Sequence, residues 1–349
     1  LLVDSTLTYQ RDPYLDWNYS NGNTVWSVLS LASYTGDAKY KAFVQRYAQF
    51  MMDNMPYFRR QYDSLFSFRG SFHRFFRMSM LDDAGSAVLP YIDLYLSDHT
   101  AQIRQKILQP VADYILDKQV RLIDGTFCRP EPVPHTVWCD DLFMSVPFLL
   151  RWASVTGNAA YYDEAVKQFR GFRKYLLDPG TKLYRHGWFS DTQQRSPVSW
   201  GRANGWIAWA TTELLEHLPA SHPGYPEILA AFREQMSVLA TYQDASGMWH
   251  QVLNRPASFE ETSCTAMFTL AMAKGVRKGW LEKSYRDKAI RGWMAVQKKV
   301  EADGTVHDIC RGTEIGFDEA FYFERKRFDQ DPRGLGAVIA AGIEVSQLQ

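Results

Sequence analysis

Long helix-compatible blocks separated by short turns recur along the whole 349-residue chain, and this recurrence constrains its fold more than any other feature. The blocks run Asn23 to Tyr34, Asp37 to Asn54, Ala101 to Lys118, Asp140 to Thr156, Tyr161 to Leu176, Gly205 to Leu218, Gly224 to Ala240, Glu261 to Lys274 and Leu281 to Val300. Within several of them apolar residues return three and four apart, as at Phe43, Tyr47, Phe50 and Met51, the spacing of one helix face. Few stretches alternate, and none reads as a sheet core. The turns recur as well: the glycines of Asp124-Gly125, Pro179-Gly180, Ser246-Gly247 and Asp303-Gly304 stand 55, 67 and 57 residues apart. Thr35-Gly36-Asp37 and Thr156-Gly157-Asn158 each end one block and precede another. A period of about 55 to 60 suits a helix pair plus a longer loop, and the chain holds about six such units. One pair cannot bury both its faces, so neighbouring pairs must stack. Closing the series gives a double-layered toroid; an open solenoid or two helical bundles are the competing arrangements.

Composition narrows the partners. Thirty-nine basic and 39 acidic residues cancel, so no overall field recruits nucleic acid or an anionic membrane. The most apolar stretch, Val137 to Ala153, is broken by Asp140, Asp141 and Arg151, so no membrane-spanning helix is expected. Cys128, Cys139, Cys264 and Cys310 are far apart and form no CxxC pair, which leaves buried thiols or one bridged pair. The opening segment, LLVDSTLTYQRDPYLDW, lacks the basic start of a leader peptide. Periplasm and cytoplasm both remain open as compartments. Asn18-Tyr19-Ser20 fits the glycosylation tripeptide, a match expected by chance.

Nucleotide loops, H-E-x-x-H and G-x-S-x-G are missing, so dinucleotide, P-loop, zincin and elbow-serine chemistry lose their usual sequence support. Carboxylates and aromatics near helix starts remain. In Leu81-Asp82-Asp83-Ala84-Gly85 one aspartate can cap a helix while the other faces a pocket, with the Arg74 to Arg77 run upstream. The stronger cluster is His135-Thr136-Val137-Trp138-Cys139-Asp140-Asp141-Leu142-Phe143-Met144. Trp138 offers Asp140 a flat apolar wall, which by desolvation is expected to raise its pKa and let it hold a proton for donation. Paired with a second acid across a cavity, it suits acid/base work on a sugar.

Two more patches suit a carbohydrate. His186-Gly187-Trp188-Phe189 follows one turn, and Trp200-Gly201-Arg202-Ala203-Asn204-Gly205-Trp206 runs into a helix. Trp200 and Trp206 offer platforms to sugar C–H faces, Arg202 a paired grip on a uronate carboxylate, and Asn204 a reader of hydroxyls. Trp249, His250 and Gln251 are candidate cavity-lining residues, while Glu260 or Glu261 with Thr262 or Ser263 suit a helix cap. The basic, aromatic-flanked stretch Tyr322 to Phe328 suits a rim for an acidic glycan.

Taken in order, these residues resemble the unsaturated rhamnogalacturonyl hydrolases (glycoside hydrolase family 105), with the unsaturated glucuronyl hydrolases of family 88 as close relatives. The resemblance covers nearly the whole chain. It runs from Trp17-Asn18-Tyr19, Thr35-Gly36-Asp37 and Tyr40 through Asp82 to Gly85, Trp138 to Met144, Pro147-Phe148 and Trp200 to Trp206. It continues through Gly247 to Leu253, Glu261-Thr262-Ser263, Ala266-Met267-Phe268 and Gly334-Leu335-Gly336. It implies an all-α (α/α)6 barrel, one catalytic domain over residues 1–349, in agreement with six hairpins.

The activity implied is hydration of the 4,5 double bond of an unsaturated uronic acid at the non-reducing end of a lyase-made oligosaccharide. A proton goes to C4, water adds at C5, and the hemiketal opens to release a keto acid. By resemblance Asp140 is both acid and base, and Asp83 is the second aspartate, with Asp82 as its rival. His186, Trp200 and Arg202 match positions that contact substrate; Asp141, His135, Trp138, Asn204, Trp206, Trp249 and His250 complete the candidate lining. No cofactor or metal is implied; the expected partner is an acidic, rhamnogalacturonan-type oligosaccharide, for a monomer or weak homo-oligomer. Ala203 stands where the family commonly has glycine, and Arg333 where it has histidine, which bears on the leaving sugar. Competing functions are an inverting glycosidase or sugar epimerase of the same fold, and a helical glycan-binding protein.

Overall fold

The computed structural model describes residues 16–65 and 70–348; most of the opening segment discussed above lies outside the described residues. Among the described residues, eleven long helices alternate between two layers. We label them α1 (Tyr19–Thr35), α2 (Ala38–Leu65), α3 (Leu89–Asp98), α4 (101–118, partly wound as π-helix), α5 (Val146–Thr156) and α6 (Ala160–Leu176). They continue as α7 (Gly201–His217), α8 (Tyr225–Thr241), α9 (Thr262–Arg277), α10 (Tyr285–Gln297) and α11 (Pro332–Ser346).

The odd-numbered helices form an inner ring in which each packs on the next, and α11 returns to pack on α1. The even-numbered helices pack outside, each against the inner helix before it. This is the closed six-hairpin (α/α)6 toroid, and it excludes the open solenoid. Hairpin connectivity points all six inner helices the same way, so their N-termini collect at one end. One hydrophobic cluster runs through the ring from Trp17 to Ala341.

The local reasons are legible. The α1 and α5 blocks end where Gly36 and Gly157, both at φ 70°, close the last turn in the left-handed conformation. Asn18 is the N-cap of α1, its side chain accepting from the Ser20 N–H, which accounts for its place before Ser20.

Two expectations are revised. The block predicted over 140–156 is two helices, a short Asp140–Phe143 turn and then α5. Pro147 lies in the first turn of α5, where its missing N–H costs nothing; further inside one helix it would remove a hydrogen bond. Helix α3 escaped the periodicity because its first four residues, Leu89, Pro90, Tyr91 and Ile92, are all buried, so its first turn shows no polar side, and α11 also lies outside every predicted block.

Among the described residues, five strands of two or three residues sit in the loops. β1 (Val137–Trp138), β2 (Gly187–Phe189) and β3 (Gln194–Arg195) form an antiparallel sheet; β4 (Ile309–Cys310) pairs with β5 (Arg327–Phe328). Val137 pairs with Trp188, and both enter the main core. Trp138 and Phe189, on the other face, pack with Ile315 in a satellite cluster. The Cys139 N–H donates to the His186 carbonyl at 3.0 Å, so the sheet fixes Asp140 beside His186. All four cysteines are buried free thiols, which excludes a bridged pair. Among the described residues, no helix is long and apolar enough to cross a membrane.

Candidate active site

The loops at the N-terminal end of the inner ring bring Asp140, His186, Asp82, Arg129 and Trp138 together. Asp140 opens the short helix after β1 and is 9 % exposed; its Oδ2 lies 3.4 Å from His186 Nε2. His186 is fully buried between Trp200, ring centroids 4.5 Å apart, and the edge of Trp138 at 5.8 Å. Its Nδ1 meets the Tyr322 hydroxyl at 3.0 Å.

A guanidinium absent from the sequence reading organises the carboxylates. Arg129 lies flat over Trp138, 3.9 Å from the ring centroid. Its Nε and Nη2 donate to both oxygens of Asp141 at 2.9 and 2.7 Å, and Nη2 also donates to Asp82 Oδ1 at 2.9 Å. Burial first, and then repulsion among the acids, holds Asp82 and Asp141 above the ordinary carboxylate range despite this cation.

Asp140 behaves otherwise. Burial pushes its pKa up, but the His186 imidazole beside it, followed by the Arg129 and Arg202 charges, outweighs burial and holds it below the ordinary range. The desolvating wall expected from Trp138 exists, yet Arg129 is stacked on it, so apolar wall and positive charge arrive together. That corrects the expectation of a raised pKa. Burial also holds His186 below the usual imidazole value, which keeps it neutral near pH 7.

Asp82 and Asp83 part company. Asp83 is fully buried, and its oxygens accept from Arg74, Arg77 and the Ser79 N–H. Its carboxylate is committed to holding the loop. Asp82 is the one that shares Arg129 and feels the charge of Asp140.

Other predicted residues fall into two groups. Arg202 stacks on Trp200 at 4.5 Å, but Nη1 and Nη2 donate to the Cys310 and Arg311 carbonyls at 2.5 and 2.8 Å. It supplies positive charge behind the site and ties down β4. Asn204 spends its amide on the Tyr184 backbone N–H and carbonyl and on the Trp200 carbonyl, so no polar atom remains to read a hydroxyl. Trp206 is buried against Phe143 at 4.8 Å, edge-on to Tyr19 at 6.3 Å.

His135 is exposed on the loop before β1. Trp249 is a core residue donating to the Leu239 carbonyl, and His250 is held by the Ser258 carbonyl and Asp244; neither joins Asp140. Glu261 is the cap of α9, accepting from the Ser263 and Cys264 N–H groups. In the Tyr322 to Phe328 stretch, Tyr322 is buried at the site, while β5 is exposed and Arg327 pairs with Asp308 at 2.9 Å.

Sequence reasoning misses Arg129 and the position of Tyr19, and it reads Tyr322 only as the start of a rim and Arg333 only as bearing on the leaving sugar. Tyr19, at the start of α1, stands in the field of Arg333, Asp82, Arg202 and Asp140, which draws the α11 start toward the same end of the ring. Arg129 follows a proline-rich loop with no motif around it. The sequence held no signal for it.

A closed ring of helix hairpins with buried acids, a neutral histidine and tryptophans at its N-terminal end defines a carbohydrate-enzyme architecture. The model of glycosyl hydrolase family 88 matches residues 4–349, and the chain belongs to the superfamily formed by glycoside hydrolase families 88 and 105.

The chain is 35% identical over 211 residues to the unsaturated rhamnogalacturonyl hydrolase YesR of Bacillus subtilis (strain 168), covering 59% of this chain and 60% of that protein. It is 29% identical over 214 residues to an unsaturated 3S-rhamnoglycuronyl hydrolase of Alteromonas sp. (strain LOR), covering 60% of this chain and 50% of the relative. The chain thus matches 50% to 60% of the length of these curated relatives. A family 105 glycoside hydrolase of C. acetobutylicum ATCC 824 superposes with a TM-score of 0.83 at 23% identity, covering 95% of this chain and 94% of the other, and shares its fold.

Proposed function

We propose that the chain hydrates the 4,5 double bond of an unsaturated uronic acid at the non-reducing end of an oligosaccharide. Asp140 is the proton donor and acceptor, and Asp82 is the second carboxylate. The observation that carries this reading is the buried Asp140–His186 pair, 3.4 Å apart, set among Arg129, Arg202 and Asp82 at the N-terminal end of the ring. The names of the two curated relatives support an unsaturated uronate linked to rhamnose as the preferred substrate.

The chemistry follows from the charges. In the empty site His186, Arg129 and Arg202 hold Asp140 down. A bound uronate brings a negative charge that offsets the two guanidinium charges, burial then dominates, and Asp140 takes up the proton it must donate. Asp140 protonates C4 as the C4=C5 pair forms the new C–H bond, leaving an oxocarbenium shared by C5 and the ring oxygen. Water attacks C5 and gives its proton to the Asp140 carboxylate, which restores the acid. The C5 hemiketal then opens to a ketone, and the hemiacetal left at C1 collapses, releasing the remaining sugar. Asp82 is placed to bind ring hydroxyls beside Asp140, whereas the oxygens of Asp83 are already taken by Arg74, Arg77 and Ser79.

Lyase-made disaccharides with different second sugars test this. The ultraviolet absorbance of the double bond should disappear, fastest with rhamnose, and a reaction run in D2O should place deuterium at C4, which glycosidic hydrolysis does not do. Asp140→Asn should slow the loss of absorbance by at least about a hundredfold while leaving binding and melting temperature near wild type. Turnover of that variant at the wild-type rate would remove Asp140 from the chemistry.

A further inference from the structure

Behind His186 lies a hydrogen-bond chain that the acid/base assignment does not use. Tyr322 belongs to a short helix, Glu319–Phe323, capped by Asp318, and its carbonyl is held by Gln251 Nε2 at 2.8 Å. Its ring stands edge-on to His186, centroids 5.7 Å apart, and it is fully buried. Its hydroxyl oxygen accepts from the Gly316 N–H at 2.9 Å and meets His186 Nδ1 at 3.0 Å, with Ser196 beside it.

A phenol has one hydrogen to donate, and a neutral imidazole carries one N–H. If Nδ1 held that hydrogen, the bare lone pair of Nε2 would face the Asp140 carboxylate at 3.4 Å, two buried acceptors pointing at each other. If the phenol donates to Nδ1, the hydrogen sits on Nε2, and an N–H instead of a bare lone pair faces Asp140 Oδ2 at 3.4 Å, two buried atoms that have no other hydrogen-bond partner. With the Gly316 N–H donating to the phenol oxygen, the phenol hydrogen is directed at the neighbouring acceptor, Nδ1.

We propose that Tyr322 is a positioning residue that holds His186 in the tautomer protonated on Nε2, so that this N–H is aimed at the Asp140 carboxylate. The proposal rests on the hydration reading for its catalytic meaning, but the tautomer itself does not. In the reaction, proton transfer to C4 turns Asp140 into a carboxylate, and an N–H already aimed at it stabilises that developing charge. The other groups facing this pair stay fixed: Arg129 and Arg202 for both residues, with Asp82, Asp141 and Tyr19 around Asp140. Loss of the phenol leaves His186 free to turn or change tautomer. Asp140 then becomes a weaker acid.

Two measurements test it. In 15N-histidine-labelled protein, with the signal assigned by its loss in His186→Asn, Nδ1 should appear unprotonated and Nε2 protonated near neutral pH. In Tyr322→Phe, kcat should fall about three- to tenfold with KM within about twofold, and the alkaline limb of the kcat profile should move to higher pH by up to about one unit. A protonated Nδ1 in the wild type, or a folded Tyr322→Phe whose pH profile matches the wild type, overturns the proposal. If Tyr322→Phe does not fold, the wild-type spectrum alone decides. If the wild type turns over no unsaturated uronate, the hydration reading fails while the spectrum still tests the tautomer.

Discussion

Asp82 and Asp83 are chemically identical neighbours with opposite surroundings, and only three dimensions separate them. Both sit in a tight turn before α3, where a one-residue slip exchanges their directions, so the sequence supports either as the second acid. Asp83→Asn should leave Arg74 and Arg77 without their shared anion, costing about 3 kcal/mol of stability, read as a lower melting temperature. Asp82→Asn should keep the melting temperature and lower kcat/KM for an unsaturated disaccharide. The reverse pattern would return the second role to Asp83. Asp140 was legible because a tryptophan and a helix start flank it. Its charge state was not, since Arg129 comes from a loop 11 residues upstream whose path no periodicity describes.

Periodic blocks coincide with or overlap nine of the eleven helices; they miss α3, whose first turn is buried all round, and α11, whose glycines, alanines and aliphatic residues leave few polar positions to set a period. What joins them at the site is harder to read, because it runs through backbone. Gly85 packs so closely that a Cβ there would lie 1.8 Å from the Met144 carbonyl oxygen and 2.5 Å from the Met144 Cα. This contact sets the turn bearing Asp82 against the turn bearing Asp140, so the glycine of the Asp-Asp-Ala-Gly stretch positions the two acids. A neighbour made of backbone cannot swing aside. Gly85→Ala should therefore lower stability by about 2–4 kcal/mol and reduce kcat along with it. A variant that melts and turns over like the wild type would show that the two turns move independently.

At the scale of the whole ring, the two ends of the inner helices divide the work. The N-terminal end gathers six positive helix ends, which favours an anionic sugar and ionised carboxylates. The C-terminal end is closed by a chain of charges that joins all six. Trp26 of α1 donates to Asp93 of α3 at 2.6 Å, Asp93 pairs with Arg151 of α5 at 2.7 Å, and Arg151 with Glu213 of α7 at 3.0 Å. Glu213 meets Lys274 of α9 at 3.1 Å, and Arg277 of α9 meets Glu344 of α11 at 2.7 Å. The sequence hides this floor because its members are spread over more than 300 residues, each resembling an ordinary surface charge.

Glu213 is the hinge of that chain. Burial alone would raise its pKa, but Lys274 and Arg151, with His217, hold it well below the ordinary glutamate value. A carboxyl depressed by folding contributes stability above its unfolded pKa, and that contribution is lost as pH falls through the lower, folded value. The ring should therefore hold through mildly acidic pH and lose stability only below the ordinary glutamate range. Glu213→Gln removes the acceptor that two buried cations share, so it should cost about 3 kcal/mol at neutral pH and flatten the acid side of the stability profile. Replacing Glu213 and Lys274 together by leucine and methionine should cost less than Glu213→Gln, because one stranded cation is removed with its partner. Thermal melts of the three proteins between neutral pH and pH 3 decide the point. A Glu213→Gln profile parallel to the wild type would place the acid sensitivity of the fold elsewhere, among the carboxylates at the opposite end of the ring.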